Sequence, residues 1–308
     1  MEYRHIPVML REAMEYLQPQ SGGVIVDCTL GGGGYTLEIA KRVGEQGKVI
    51  AIDADEMAIT NAKSKIQNEK LRNIILVHGN FKNLQAIINQ VGLEKVDGVV
   101  FDLGLSSAQL QDTTRGFSFG STAALNMSFG SKKLPVSPTA SRGGEARNKN
   151  TEEIVNEFKQ AELEKIIREY GEERYAGRIT EAIVKARPLV TAKALAEVIA
   201  RAVPPQYRYG RIHPATRTFQ ALRIATNDEL NNLKVALPQA VEMLAAGGRL
   251  AVVSYHSLED RIVKRFLRER QNQGALKILT KKVIVASAAE TQSNPRARSA
   301  KLRAAGKK

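Results

Sequence analysis

The chain is poor in several things whose absence narrows what it can be. Cys28 is its one cysteine among 308 residues, so an internal disulfide and a cysteine-based zinc site are both excluded, and no metal is expected. No run approaches the roughly 20 apolar residues that a bilayer-spanning helix needs. The N-terminal Met1-Glu2-Tyr3-Arg4-His5 lacks the charged and apolar regions of a signal peptide, so the cytoplasm is the expected compartment and no membrane is expected as a partner. Acids are also scarce: 32 Asp and Glu face 46 Lys and Arg, a net charge of +14. That imbalance favours a polyanionic partner, nucleic acid above all, the plain alternative being a solvated basic surface. Residues 271–308 carry nine Lys/Arg and a single acid, Glu290. The glycine-, serine- and proline-bearing composition of this tail does not make an amphipathic membrane helix.

What is present begins with Val24-Ile25-Val26-Asp27-Cys28-Thr29-Leu30-Gly31-Gly32-Gly33-Gly34-Tyr35-Thr36. A β-branched run reads as a buried strand, four glycines follow, and Leu37–Val43 reads as a helix. Backbone without side chains, running into a helix N-terminus with unpaired N–H groups, is a place for a ligand. Lys48–Asp53, Asn73–His78 and Val96–Asp102 are further strands, with helices over Glu56–Ile66 and Leu84–Val91 between them. This alternation predicts a parallel α/β sheet covered on both faces, with its ligand beyond the carboxyl ends of the strands. Gly31–Gly34, Asp53, the segment after His78, and Asp102 should meet there.

The rhythm breaks after the fourth strand. From about Ser106 to Pro214 no convincing strand is legible, and Gly130–Asn150 is polar, basic and rich in Gly, Pro and Ser, which reads as a flexible loop. Thr151 reads as a helix cap, with further helices near 161–170, 172–186 and 192–203. Pro214 opens a helix expected to reach about Ala236, and a short one to Leu244 follows. Arg249–Tyr255 is a fifth strand, Leu258–Arg270 a helix, and Leu276–Leu279 with Val283–Val285 a closing strand pair. The expected organisation is a discontinuous sheet domain, 1–107 with 214–308, interrupted by a helical substrate-recognition domain, 108–213.

Two cofactors suit a glycine loop with an acid about 20 residues further on. A nicotinamide dinucleotide wants G-x-G-x-x-G, but starting from Gly31 the third glycine falls on Thr36, and starting from Gly32 it falls on Leu37. S-adenosylmethionine occupies the same crevice without a pyrophosphate, and Asp27-x-x-x-Gly31-x-Gly33, Asp53 and Asp102 suit it better. Asp53 has the spacing of a ribose ligand, its plain alternative being a strand-end turn.

From the fourth strand onward a family resemblance becomes specific. Asp102-Leu103-Gly104-Leu105-Ser106-Ser107-Ala108-Gln109-Leu110, Arg115-Gly116-Phe117-Ser118-Phe119, His213–Ile224 with Asn227-Asp228-Glu229-Leu230, Ser254–Arg261 and Asn294–Arg303, together with His5-Ile6-Pro7-Val8, resemble blocks of the bacterial RsmH (MraW) family. The match spans nearly the whole chain apart from Gly130–Asn150. Family members N4-methylate a cytidine in the decoding centre, at the P site, of 16S ribosomal RNA in the small ribosomal subunit. The resemblance implies a class I, Rossmann-like S-adenosylmethionine-dependent methyltransferase sheet with an inserted helical domain. It also implies cofactor contacts at Gly33, Gly34, Tyr35, Asp53, Phe81, Asp102 and Gln109. This sequence departs from the family pattern at Tyr35 (usually His), at Ala108 and Gln111 (Pro and Asp), and at Asn126 and Ser128 (Asp and Arg). The last pair keeps a second reading open, a ribosome-assembly or RNA-binding factor with weakened or lost methyl transfer.

Methyl transfer to an exocyclic amine requires alignment and a group that grips the N–H. Asp102 is the first candidate, then Ser106 and Ser107. The alternative is that Asp102 only holds cofactor and the serines cap a turn. Phe81 would pack on adenine or else belong to the core. His256 faces a base pocket or is a hydrogen-bonded structural histidine. For RNA, Arg217 and Arg223 lie on one helix, Tyr207-Arg208-Tyr209-Gly210-Arg211 mixes stacking and phosphate-binding groups, and Arg296 and Arg298 lie in the basic tail. Salt bridging and solvation are the plain alternatives. Monomer and homodimer both remain open.

Overall fold

The computed structural model describes residues 7–106, 109, 112, 114–130 and 150–308. His5, Ile6, Ser107, Ala108, Gln111 and the stretch 131–149 lie outside them. The chain divides into two compact units, residues 1–107 with 230–308 and residues 108–229.

In the first unit the elements run α1 (Leu10–Leu17), β1 (Val24–Asp27), α2 (Gly34–Val43), β2 (Lys48–Asp53), α3 (Glu56–Asn68), β3 (Ile74–His78), a 3-10 turn (Phe81–Asn83), α4 (Leu84–Gln90) and β4 (Val96–Asp102). The second unit carries α5 (Thr151–Glu157), α6 (Gln160–Gly171), α7 (Ala176–Lys185), α8 (Ala192–Ala202), α9 (Pro205–Arg208) and α10 (Thr216–Asn227). The chain then continues with α11 (Glu229–Met243), β5 (Leu244–Ser254), α12 (Ser257–Asn272), β6 (Leu276–Ile278), β7 (Ile284–Val285), α13 (Ala288–Ser293), a 3-10 turn (Pro295–Ser299) and β8 (Lys301–Lys307).

The sheet order is β3-β2-β1-β4-β5-β8-β6, with β7 also paired to β8. β1 to β5 are mutually parallel, and β8 enters antiparallel to β5. This is the Rossmann-like α/β sheet that the βα alternation predicts. Side-chain alternation along the strands feeds both faces. Val26, Ile50, Ile52, Val99, Phe101 and Val252 pack with Leu84, Ile88, Leu237, Val263 and Leu267. Ile25, Val49, Val100, Ala251 and Val253 pack with Met14, Leu17, Ile39 and Val43 on the other face. Covered on both faces, the strands can be nearly all apolar, and Asp27, Asp53 and Asp102 stand at the carboxyl ends of β1, β2 and β4. Among the described residues no helix is long and apolar enough to cross a membrane.

The basic tail differs most from expectation. Lys301–Lys307 is a strand between β5 and β6, and its cations have internal partners. Arg303 donates from Nε to Asp260 Oδ1 at 2.6 Å and from Nη2 to Oδ2 at 3.2 Å. Lys307 Nζ donates to the carbonyls of Val241, Glu242 and Leu244 at 2.9, 3.2 and 2.8 Å. A cation at the end of α11 meets carbonyls that have no further helical partner there.

The second unit is built on α6 and α10. Leu163 and Ile167 of α6, Ile179 and Ile183 of α7, Leu195 and Ile199 of α8, and Phe219 and Leu222 of α10 are buried. The helix beginning near Pro214 therefore belongs with this unit, and the return to the first unit falls at 229/230 rather than at 213/214. That helix also stops well short of Ala236. Asp228 adopts the left-handed conformation, φ 51°, and its N–H donates to Ile224 O as a C-cap before α11 restarts. At the other end of the unit Asn150, not Thr151, is the cap of α5, in a reciprocal pair with Glu153. Gly171 ends α6 where α10 passes closest. A Cβ there would stand 2.6 Å from Arg217 O and 3.4 Å from Ala221 Cβ. Because the obstacle is main chain, Gly171→Ala is expected to destabilise the protein by about 1–3 kcal/mol, read as a lowered urea midpoint.

Candidate functional site

The carboxyl ends of β1, β2 and β4 bring three acids and the glycine loop together. Register pairs Asp27 with Ala51 and Val100, Asp53 with His78, and Asp102 with Val253. Gly31 and Gly33 have φ of 48° and 82°, left-handed geometry that a side chain would strain. Gly34 starts α2, whose N-cap, Gly33, offers no side-chain hydrogen bond. The first N–H groups of α2 thus face the loop. A Cβ on Gly34 would lie 2.1 Å from Pro7, whereas one on Gly33 would meet nothing within 4 Å. The loop is closed on the Gly34 side and open on the Gly33 side. Lys65 of α3 donates to Gly32 O at 2.7 Å and pins the loop from outside.

Asp27 is fully buried. Its Oδ2 accepts from Thr36 Oγ1 at 2.6 Å and its Oδ1 from Thr29 N at 3.1 Å. Burial pushes its carboxyl up, and these donors hold it down. Thr36, the residue that spoiled the dinucleotide pattern, is there to satisfy this acid. Thr29 Oγ1 in turn accepts from Asp102 N at 2.6 Å, tying β1's end to β4's.

Asp53 accepts from Gly31 N at 2.7 Å with Oδ2 and from Asp55 N at 2.8 Å with Oδ1. Burial pushes it to about 6 against those two bonds. Each oxygen retains a lone-pair direction, so the carboxylate can still accept from two hydroxyls of a ligand. Asp102 Oδ1 accepts from Tyr255 Oη at 2.7 Å. Burial pushes Asp102 to about 7; Tyr255 and nearby Arg296 oppose the shift, and Asp27 and Glu259 add to it. The Tyr255 ring lies flat against the main chain, since a Cβ on Gly104 would stand 2.5 Å from its Cε2. Arg296 donates to Leu105 O, fixing the segment that leads to Ser106. Ser106 sits across from the glycine loop, its Cβ 3.7 Å from where a Cβ on Gly31 would be.

Other predicted positions are placed differently. Tyr35 turns its side chain away from the loop and donates to Val8 O at 2.6 Å, with 3% exposure, so only its main chain can serve a ligand. Phe81 is half-buried and meets Phe101 edge-on, ring centroids 5.6 Å apart, between the core and the strand ends. Gln109 is buried and belongs to the second unit. Ser107 lies outside the described residues. His256 caps α12: its Nδ1 accepts from Glu259 N at 3.4 Å.

Several of the residues expected to contact RNA have partners within the protein. Arg223 is engaged by Glu229 through Nε and Nη2 at 2.8 and 2.9 Å, with both side chains mostly shielded. Arg296 points inward to Leu105 O. Tyr207 donates to Glu173, packs edge-on against Tyr175, and lies under the Arg174 guanidinium. Burial and the Glu173 bond push its hydroxyl to about 12. It supports its own unit and is not a free stacking platform. Arg208 caps the preceding helix through the carbonyls of Arg201 and Val203, and Arg217 donates to Glu172 O at 2.8 Å. Arg211 and Arg298 are exposed, as is Tyr209, at 82%. The residue that the site's chemistry needed and the prediction omitted is Tyr255. Its position just past β5, beside β4, was the available signal.

The MraW methylase family pattern matches residues 2–308. The chain belongs to that family. The methylase is 43% identical over 326 residues to the ribosomal RNA small subunit methyltransferase H of Heliobacterium modesticaldum, covering 100% of this chain and 99% of that protein. It is 42% identical over 319 residues to the protein of the same name from Halothermothrix orenii, covering 98% and 97%.

Asp53 and Asp102 titrate above the ordinary value of 3.8 in the folded methylase. The stability they contribute is therefore full below that value and lost as pH rises through about 6 and about 7. Tyr255→Phe removes a bond that favours the ionised form, so the Asp102 midpoint should move up from about 7. Carboxyl-carbon NMR titration measures this, and an unmoved midpoint would refute the role assigned to the Tyr255 hydroxyl.

Proposed function

We propose that this methylase transfers a methyl group from S-adenosylmethionine to N4 of a cytidine at the P site of the decoding centre in 16S ribosomal RNA. The observation that carries the reading is the acid pair at the strand ends, Asp53 beside the glycine loop and Asp102 beside Thr29, in a chain that matches a methylase family from end to end. When bound, S-adenosylmethionine supplies a methyl carbon on a sulfonium, an electrophile that needs no metal. The residues fit it. Gly31 and Gly33 let the main chain approach the amino-acid part, and the uncapped start of α2 meets its carboxylate. Asp53 accepts from the ribose hydroxyls with its remaining lone pairs, and Phe81 borders the adenine. Three acids around the loop suit a donor that carries positive charge.

Asp102 grips the N4–H of the cytosine. As the nitrogen lone pair forms the new N–C bond, the C–S electron pair returns to sulfur and the N4 proton becomes acidic. Asp102, titrating near 7 and steadied by Tyr255, accepts that proton. Ser106 borders the acceptor. The second unit recognises the RNA, and Arg211, Arg217 and Arg298 meet phosphate. The working compartment is the cytoplasm, with the small subunit as partner.

Incubation with labelled S-adenosylmethionine and small subunits lacking the modification should yield N4-methylcytidine, located by nucleoside mass mapping. Donor binding without incorporation would instead favour an assembly factor of the same fold. Asp102→Asn should lower kcat by about 10²-fold or more with a smaller change in the donor KM.

A further inference from the structure

The helix α12 carries a second charged feature, distinct from the strand-end site. Its inner face is apolar: Val263 and Leu267 are fully buried, and Ile262 and Phe266 pack beside them against the sheet. Its outer face is Arg261, Lys264, Arg265 and Arg268, all exposed. Positions i, i+3, i+4 and i+7 fall on one stripe, about 10 Å long at 1.5 Å per residue. No acid interrupts residues 261–268. The acids at the helix start are committed elsewhere, Asp260 to Arg303 and Glu259 to the main-chain N–H of Tyr255. Glu269, at the stripe's edge, accepts from Gln273. Arg270, off the stripe, lies over the Phe266 ring and bonds Gln273. Lys264, Arg265 and Arg268 enter no ion pair among the described residues.

We propose that this stripe is a docking surface for the phosphate backbone of RNA, separate from the strand-end site and from the second unit. The inference rests on the RNA-methylating function proposed above and adds a surface to it. Three unpaired cations within two helical turns repel one another and are held there at some electrostatic cost, which an anion with closely spaced charges removes. The stripe presents guanidinium and ammonium groups without aromatic or amide side chains among them. It therefore suits phosphate oxygens, which position a nucleic acid, and not base edges, which specify it. A basic helix can also serve a lipid surface or a helix-binding protein, but both uses require the helix's apolar face. Here that face is spent on the sheet.

The test is fluorescence anisotropy of a labelled hairpin from small-subunit ribosomal RNA, titrated with the full chain across about 50–200 mM salt. Each of Lys264→Gln, Arg265→Gln and Arg268→Gln should make the slope of log affinity against log salt shallower by about 0.7–0.9. The triple variant should make it shallower by about 2–3. S-adenosylmethionine binding should be unchanged in all of them. The charge-keeping variant Lys264→Arg/Arg265→Lys/Arg268→Lys should retain the wild-type slope. Wild-type binding with unchanged slopes in the neutralised variants would overturn the stripe and leave the proposed function standing. Failure of the wild type to bind the hairpin at all would overturn both. Binding to phosphatidylserine vesicles that the same substitutions abolish, with RNA binding unaffected, would overturn the RNA assignment in favour of lipid.

Discussion

Carboxylates drawn out of water at the ends of parallel strands are the constraint from which the rest of this protein's architecture follows. An ionised group loses its hydration there and must recover it from fixed donors or take up a proton. Asp27 recovers it from Thr36 and Thr29, Asp53 from the N–H groups of Gly31 and Asp55, and Asp102 from Tyr255. Three of those five residues belong to the loop and turn segments after β1 and β2, and a fourth, Thr36, lies in the first turn of α2. The glycine loop is thus more than open space for a ligand. Its main chain and its threonine side chains are the solvent for the acids beneath it. The same donors leave Asp53 and Asp102 poised near neutrality, where a carboxyl can either accept a proton or answer a positive charge.

That arrangement depends on register. Because β1, β2, β4 and β5 are parallel and their carboxyl ends lie side by side, the residues just past each strand converge. The Tyr255 ring can press on Gly104 only because β5 neighbours β4. β8 completes the arrangement from outside. It pairs antiparallel with β5, and the turn that precedes it delivers Arg296 to Leu105 O. The carboxyl-terminal segment is thereby part of the wall of the site.

The large positive charge divides in the same physical terms. Arg223, Arg296, Arg303 and Lys307 have carbonyl or carboxylate partners inside their own units and hold elements together. Lys264, Arg265 and Arg268 face water on a helix whose other side is buried. The first group stabilises structure by relieving buried acceptors. The second contributes field, and its value lies in what it attracts.

Local chemistry was legible from the residues alone. β-branched runs closing on acids, glycines before a helix, and the spacing from Gly31 to Asp53 each depend on neighbours within one βαβ step. The sheet, the loop and the two strand-end acids followed from them, and the long blocks from Asp102 onward carried the family. What the residues could not decide was which partner each polar group would find. Tyr255 meets Asp102 across 153 positions, and Arg296 meets Leu105 across 191. Arg223 and Arg265 are the same residue type on amphipathic helices, yet one is shielded by Glu229 and the other faces water. Burial and pairing are properties of the packed chain, set by which surfaces the sheet and the helices cover. Only the tertiary structure could tell a cation that holds the fold from one left to meet a partner.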